Sequence, residues 1–237
     1  MVFFFATKWS THINMDTLSN VNTRRGEPYP RTPDLPPASS PDTQSLSSGV
    51  SVKYAPHPDK RWYVLRVTYN RIGKAYELLL GAKIEAYFPM HYMYKTVQGK
   101  KKRVLEPLLP NIIFVYDTPE CISSFVKKPL HNSFINFYLN HFKKDEYGKN
   151  PPLTVGYNEM MNFINVTSVD NEHIRIVEPE QCRYKSGDLV RVTDGDFKGV
   201  TGRVARVSGQ QRVVVELDGL CLVATAYVPS GFLMKVE

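Results

Sequence analysis

Residues 187–207 read GDLVRVTDGDFKGVTGRVARV, and the nine at their centre, DGDFKGVTG (194–202), decide between two kinds of protein. A glycine-rich loop can cradle phosphate, but only when a GxxxxGK[ST] run joins a strand to a helix, so that backbone amides and the helix N-terminus face the anion. This stretch lacks the GK[ST] ending, and the β-branched run GRVARVS follows it. Gly195 and Gly199 read as residues that admit a left-handed backbone in tight turns, and Gly202 as a bulge or a close backbone approach.

Working outward, DLVRVT, GRVARVS, QRVVVELD, LCLVATAYV and FLMKVE are five β-branched-rich runs broken by Gly, Asp, Ser or Pro. Short strands so spaced predict a small five-stranded barrel over 185–237. The preceding HIRIVEPEQCRYK reads as part of a linker, 168–184. Upstream, RWYVLRV alternates as a strand, sending Tyr63, Leu65 and Val67 to one side and Trp62, Val64 and Arg66 to the other. Ile72, Ala75, Leu79 and Ala82 then recur at helical spacing, with Gly81 near the end. IEAYFP is a strand stopped by Pro89, and HYMYKTV and RVLEPL flank QGKKK as a hairpin with a basic tip. NIIFVY is a buried strand, with Ile112 and Phe114 on one face and Ile113 and Val115 on the other. Thr118 and Pro119 start a short helix to about Lys127, residues 129–156 read as a long polar and aromatic loop, and YNEMMNFINV is a further helix. The fold class is α+β, an antiparallel sheet with packed helices over 61–167 followed by the barrel. Residues 1–60 hold eight prolines between Pro28 and Pro58 and no apolar periodicity, the composition of a disordered tail; Met15 is an alternative start to Met1.

The chain has 237 residues and a formal net charge of +7. Residues 61–165 carry 15 basic and 8 acidic groups, whereas residues 166–237 carry 9 and 10, so the positive excess belongs to the first domain. Such a domain favours polyanions. Cys121, Cys182 and Cys221 are scattered and form no CxxC, which supports neither a zinc site nor a disulfide framework and fits a reducing cytoplasm. No apolar run approaches the ~18 residues of a membrane span. The six histidines show no ligand or triad spacing, and the Asp145–Glu146 pair sits in a polar stretch, so the expectation is a monomeric cytoplasmic protein, not an enzyme, with no cofactor or metal.

GDLVRVTDGDFKGVTGRVARV resembles the KOW motif of NusG-type transcription factors and some ribosomal proteins. The order WYVLRV, helix, AYFP, basic hairpin, EPLLPNIIFV resembles the NusG N-terminal domain, most closely the specialised RfaH and UpxY antitermination factors of polysaccharide operons. The resemblance covers about 61–237. It implies an elongation and antitermination factor that holds RNA polymerase through its N-terminal domain. It also implies an SH3-like KOW barrel that recruits a second protein, a ribosomal small-subunit protein or a termination factor. The alternative is a KOW-containing ribosomal or RNA-binding protein, which would call for a basic barrel. Carried over by position, Tyr87, Phe88, Leu109, Ile112 and Phe114 form the polymerase clamp contact, with core the competing reading at each. Ser123 and Ser124 are the comparable second polymerase contact. Arg71, Lys74, Lys95, Lys100, Lys101, Lys102 and Arg103 are the candidates for non-template DNA or nascent RNA, with Tyr92 and Tyr94 as stacking faces. At the loop tip, Phe197 and Lys198 are candidate partner contacts, and Phe197 has a second reading as a cap on its own barrel.

Overall fold

The computed structural model describes residues 54–236, so the expected disorder of residues 1–53 lies outside the described residues. Ordered chain begins before the first strand. Tyr54 is buried, its ring edge-on to Trp62 at 5.1 Å, and its carbonyl accepts the Tyr157 hydroxyl at 2.6 Å.

The first sheet is antiparallel. Its backbone runs β2 (Glu85–Tyr87), β5 (Ile112–Asp117), β1 (Arg61–Val67), β6 (Ile135–Phe137), with β7 (Thr154–Val155) also pairing β1. The period-two alternation read from the sequence divides its two cores. Tyr63, Leu65, Val67, Ile113 and Val115 pack with α1 (Ile72–Gly81) and α2 (Pro119–Val126), where Ala75, Leu79, Ile122 and Phe125 are buried. Trp62, Val64, Ile112, Phe114 and Tyr116 pack on the other side with Met160, Phe163 and Ile164 of α4 (Tyr157–Thr167). Thr118 caps α2 by accepting the Cys121 amide, and Glu159 accepts the Gly156 amide at the start of α4.

The expected loop of 129–156 is more ordered than its polarity suggested. It holds α3 (Pro129–Asn132), β6 and β7, and an excursion between the last two that is closed by a Leu139–Pro152 bridge. Strands of two and three residues carry too little alternation to be seen in sequence. They exist because β1 offers them pairing partners from Trp62 to Val67.

The C-terminal sheet runs β13 (Leu233–Lys235), β9 (Arg183–Val192), β10 (Thr201–Val207), β11 (Gln210–Leu217), β12 (Cys221–Tyr227), β8 (Arg175–Val177). The five expected strands are present in SH3-like order. The hydrogen-bonded path is not closed, and it gains a sixth strand, β8, from the segment read as a linker. The glycines divide as the sequence implied. Gly195 and Gly199 have φ of +79° and +89°. At Gly202 a Cβ would stand 2.6 Å from the Val214 carbonyl oxygen, so only glycine fits.

Candidate functional site

The five clamp candidates do not form one surface. Tyr87, Leu109, Ile112 and Phe114 share the α4 side of the sheet, whereas Phe88 packs on the α1 side, its ring edge-on to Tyr76 at 5.1 Å. Neighbouring residues in extended chain point to opposite faces, and this corrects the grouping of Tyr87 with Phe88. Phe114 is wholly enclosed and meets Phe163 of α4 at 5.4 Å, while Leu109 and Ile112 retain 7% exposure each. In this arrangement all three are core. Tyr87 shares a hydrogen bond with Thr167 at 2.6 Å, and its burial pushes the phenol above its usual pKa.

Ser123 and Ser124 lie on α2, with Ser124 exposed. Ser123 lines a cleft of about 410 Å³ with Arg61, Tyr63, Phe137, Asn140 and Lys143. The cleft joins α2 to the 138–153 excursion, a neighbourhood that sequence distance concealed.

The basic residues fall into two sets. β3 (Met90–Val97) and β4 (Lys100–Pro107) pair only with each other. Their turn is Gln98–Gly99, with φ of +52° and +75°, as a two-residue hairpin turn requires. The turn is shorter than expected, so Lys100, Lys101 and Lys102 stand on β4 itself. Residues directly opposite share a face. The register therefore puts Tyr92, Tyr94, Lys101, Arg103 and Leu105 on one face and Lys95, Lys100 and Lys102 on the other. Tyr94 is 62% exposed. Arg103 lies 3.8 Å from the centre of the Tyr92 ring and bonds Asp170 at 3.1 Å, and Lys95 bonds Glu106 at 2.6 Å. These two cations are already engaged, whereas the three lysines are exposed. Arg71 and Lys74, at the start of α1, face the Phe134 ring at 5.5 and 6.0 Å and form a separate group.

In the barrel loop the two candidates part. Phe197 is buried in the apolar cluster that includes Val190, Val192 and Val200, so the capping reading describes it here. Its ring is not offered to a partner in this arrangement, because the turn closes through Gly199 N donating to Val192 O at 2.8 Å and folds the ring inward. Lys198 is exposed.

Sequence reasoning missed the polar groups that join the two domains. Asn162 of α4 accepts the Thr201 amide at 2.9 Å. Arg212, on β11, donates to the carbonyls of His173 and Thr225 at 2.6 and 2.8 Å. Each looks like an ordinary surface residue in sequence, since alternation in QRVVVELD places Arg212 on the same face as Glu216 and Asp218. Among the described residues no cluster of His, Cys, Asp and Glu is placed to hold a metal ion, and no helix is long and apolar enough to cross a membrane.

Two family models match the chain. Residues 60–140 match the family described as transcription termination factor NusG, and residues 186–216 match the KOW motif. Matches of these two kinds, in this order, support a NusG-like transcription factor. Families of this kind are non-enzymatic, and the first domain implies RNA polymerase as its partner.

Proposed function

We propose that this chain is an elongation and antitermination factor of the specialised RfaH and UpxY kind, acting on polysaccharide-type operons. Residues 61–167 form the polymerase-binding domain and 185–237 the domain that receives a second protein, joined through 168–184. The observation that carries the reading is the order of the two family matches on one chain. The apolar face built by Tyr87, Leu109 and Ile112 with α4 supports a clamp contact, with Phe114 shaping the face from within. Tyr87 is its half-buried member, and Leu109 and Ile112 lie just beneath the surface at 7% exposure. The exposed lysines of β4 and the Tyr94 ring support contact with non-template DNA or nascent RNA. Residues 166–237, which contain the barrel, carry 9 basic and 10 acidic groups, a balance that disfavours the ribosomal alternative.

The test is co-purification with core RNA polymerase, comparing the wild type with Ile112→Ser and with a polymerase lacking its clamp helices. Retention by the wild type and loss with the clamp-deleted enzyme is the expected result. Retention undiminished by either change would remove the docking mode. Circular dichroism of Ile112→Ser separates lost contact from lost fold.

A further inference from the structure

The stretch between the domains reads in sequence as a tether, and in structure it is part of the barrel. Ile174 and Val177 are buried, and β8 pairs with Leu222, Val223 and Ala224 of β12. Beneath that junction lies Arg212, only 4% exposed. One guanidinium nitrogen, Nη1, reaches the His173 carbonyl on the connecting segment and the Thr225 carbonyl on β12, and Nη2 donates to Gln210 Oε1 at 2.8 Å. Nε is buried without a hydrogen-bond partner, and the acceptors found are neutral. A neighbouring cation, Arg175, donates from its guanidinium to Ser208 at 2.6 Å, and its charge adds to the burial penalty.

Burying a guanidinium without a counter-ion is costly, and an apolar residue of similar volume is often the more stable choice. A charge retained at such a place is best explained by the arrangement its hydrogen bonds specify. Here they specify that the His173 segment lies on the barrel. Two other contacts join the barrel to the first domain without engaging the His173 segment. Asn162 of α4 accepts the Thr201 amide. The turn after β11 meets the 138–153 excursion, where a Cβ at Gly219 would stand 3.3 Å from Leu153 and 3.7 Å from Phe142.

We propose that Arg212 is a positioning residue that staples the interdomain segment to the barrel, so that the barrel rides at a fixed orientation on the N-terminal domain. Domains joined by a connecting segment ordinarily move relative to each other unless their interface is large and apolar. Arg212 supplies a polar lock in addition to the shared apolar cluster. A partner held by the barrel is thereby presented at a set geometry. The inference does not depend on what either domain binds.

Backbone ¹⁵N relaxation on the full chain tests it through the rotational correlation time of each domain. In the wild type the two domains share one value. In Arg212→Met, with the barrel's amide dispersion intact, the barrel value falls below that of the first domain by about 1.5-fold or more. If Arg212→Met loses that dispersion, Ile174→Ser loosens the same segment without altering a barrel strand and is expected to release the barrel likewise. Two values in the wild type, or a single shared value in whichever variant remains folded, overturns the proposal.

Discussion

The β3–β4 hairpin and the barrel loop 193–199 both stood out in the sequence as contact sites, and the fold treats them in opposite ways. The hairpin pairs only with itself and leaves Lys100, Lys101, Lys102 and Tyr94 exposed. The loop closes on its own strands and takes Phe197 inside. The difference follows from the side chains. A lysine ammonium resists burial, so a basic run predicts its own exposure. A phenylalanine gains about 1.5–3 kcal/mol by leaving water, so an aromatic at a loop tip is drawn to any interior within reach.

The largest effect that can break this comparison belongs to Phe197→Ala, which is expected to destabilise the barrel by about 3–5 kcal/mol in denaturant unfolding. An unchanged midpoint, with loss of a barrel partner, would return Phe197 to the contact role. Gly202→Ala comes next. Its new methyl meets backbone at Val214, which cannot step aside as a side-chain tip can, and the expected cost is roughly 1–3 kcal/mol. A cost near zero would mean that β10 and β11 separate easily.

The alkaline limb of stability sharpens the comparison within the first domain. Burial raises the phenols of Tyr54, Tyr87 and Tyr157 above their usual value. The unfolded chain therefore loses these protons first, so their contribution is complete below about pH 10 and declines as pH rises through the folded-state values. Unfolding midpoints measured from pH 8 to 11 should fall at the upper end, and Tyr87→Phe should flatten that fall. The smallest effect on stability is expected from replacing Lys100, Lys101 and Lys102 with alanine, within about 0.5 kcal/mol of wild type. The same variant should lower the salt dependence of single-stranded nucleic-acid binding by about 0.7 per contacting lysine. An unchanged salt slope would leave the hairpin as a solvated ornament.

How far each region could be read in advance follows the same physics. β1 and β5 were legible because both faces of the sheet are covered, making each strand a nearly continuous apolar run whose alternation still sorts its two cores. The turn glycines were legible because backbone sign and close approach leave few substitutes. β6, β7 and β8 were not, since strands of two or three residues borrow their conformation from a partner strand already in place. The division of Tyr87 from Phe88 was present in the alternation of IEAYFP and was obscured by carrying the contact over by position from the resemblance. Arg212 was hidden for a different reason. Its burial depends on acceptors 2, 13 and 39 residues away in sequence, which no local pattern displays.

Trp62, enclosed between the Tyr54 and Tyr116 rings, is one of only two tryptophans in the chain, the other being Trp9. With Trp9→Phe, its fluorescence becomes an optical report on the first sheet alone, because the barrel carries no indole. Far-UV circular dichroism sees the strands of both domains. Coincidence of the two signals along a denaturant titration would mean that the domains melt together. A gap between them would measure how much of the barrel's cohesion is its own.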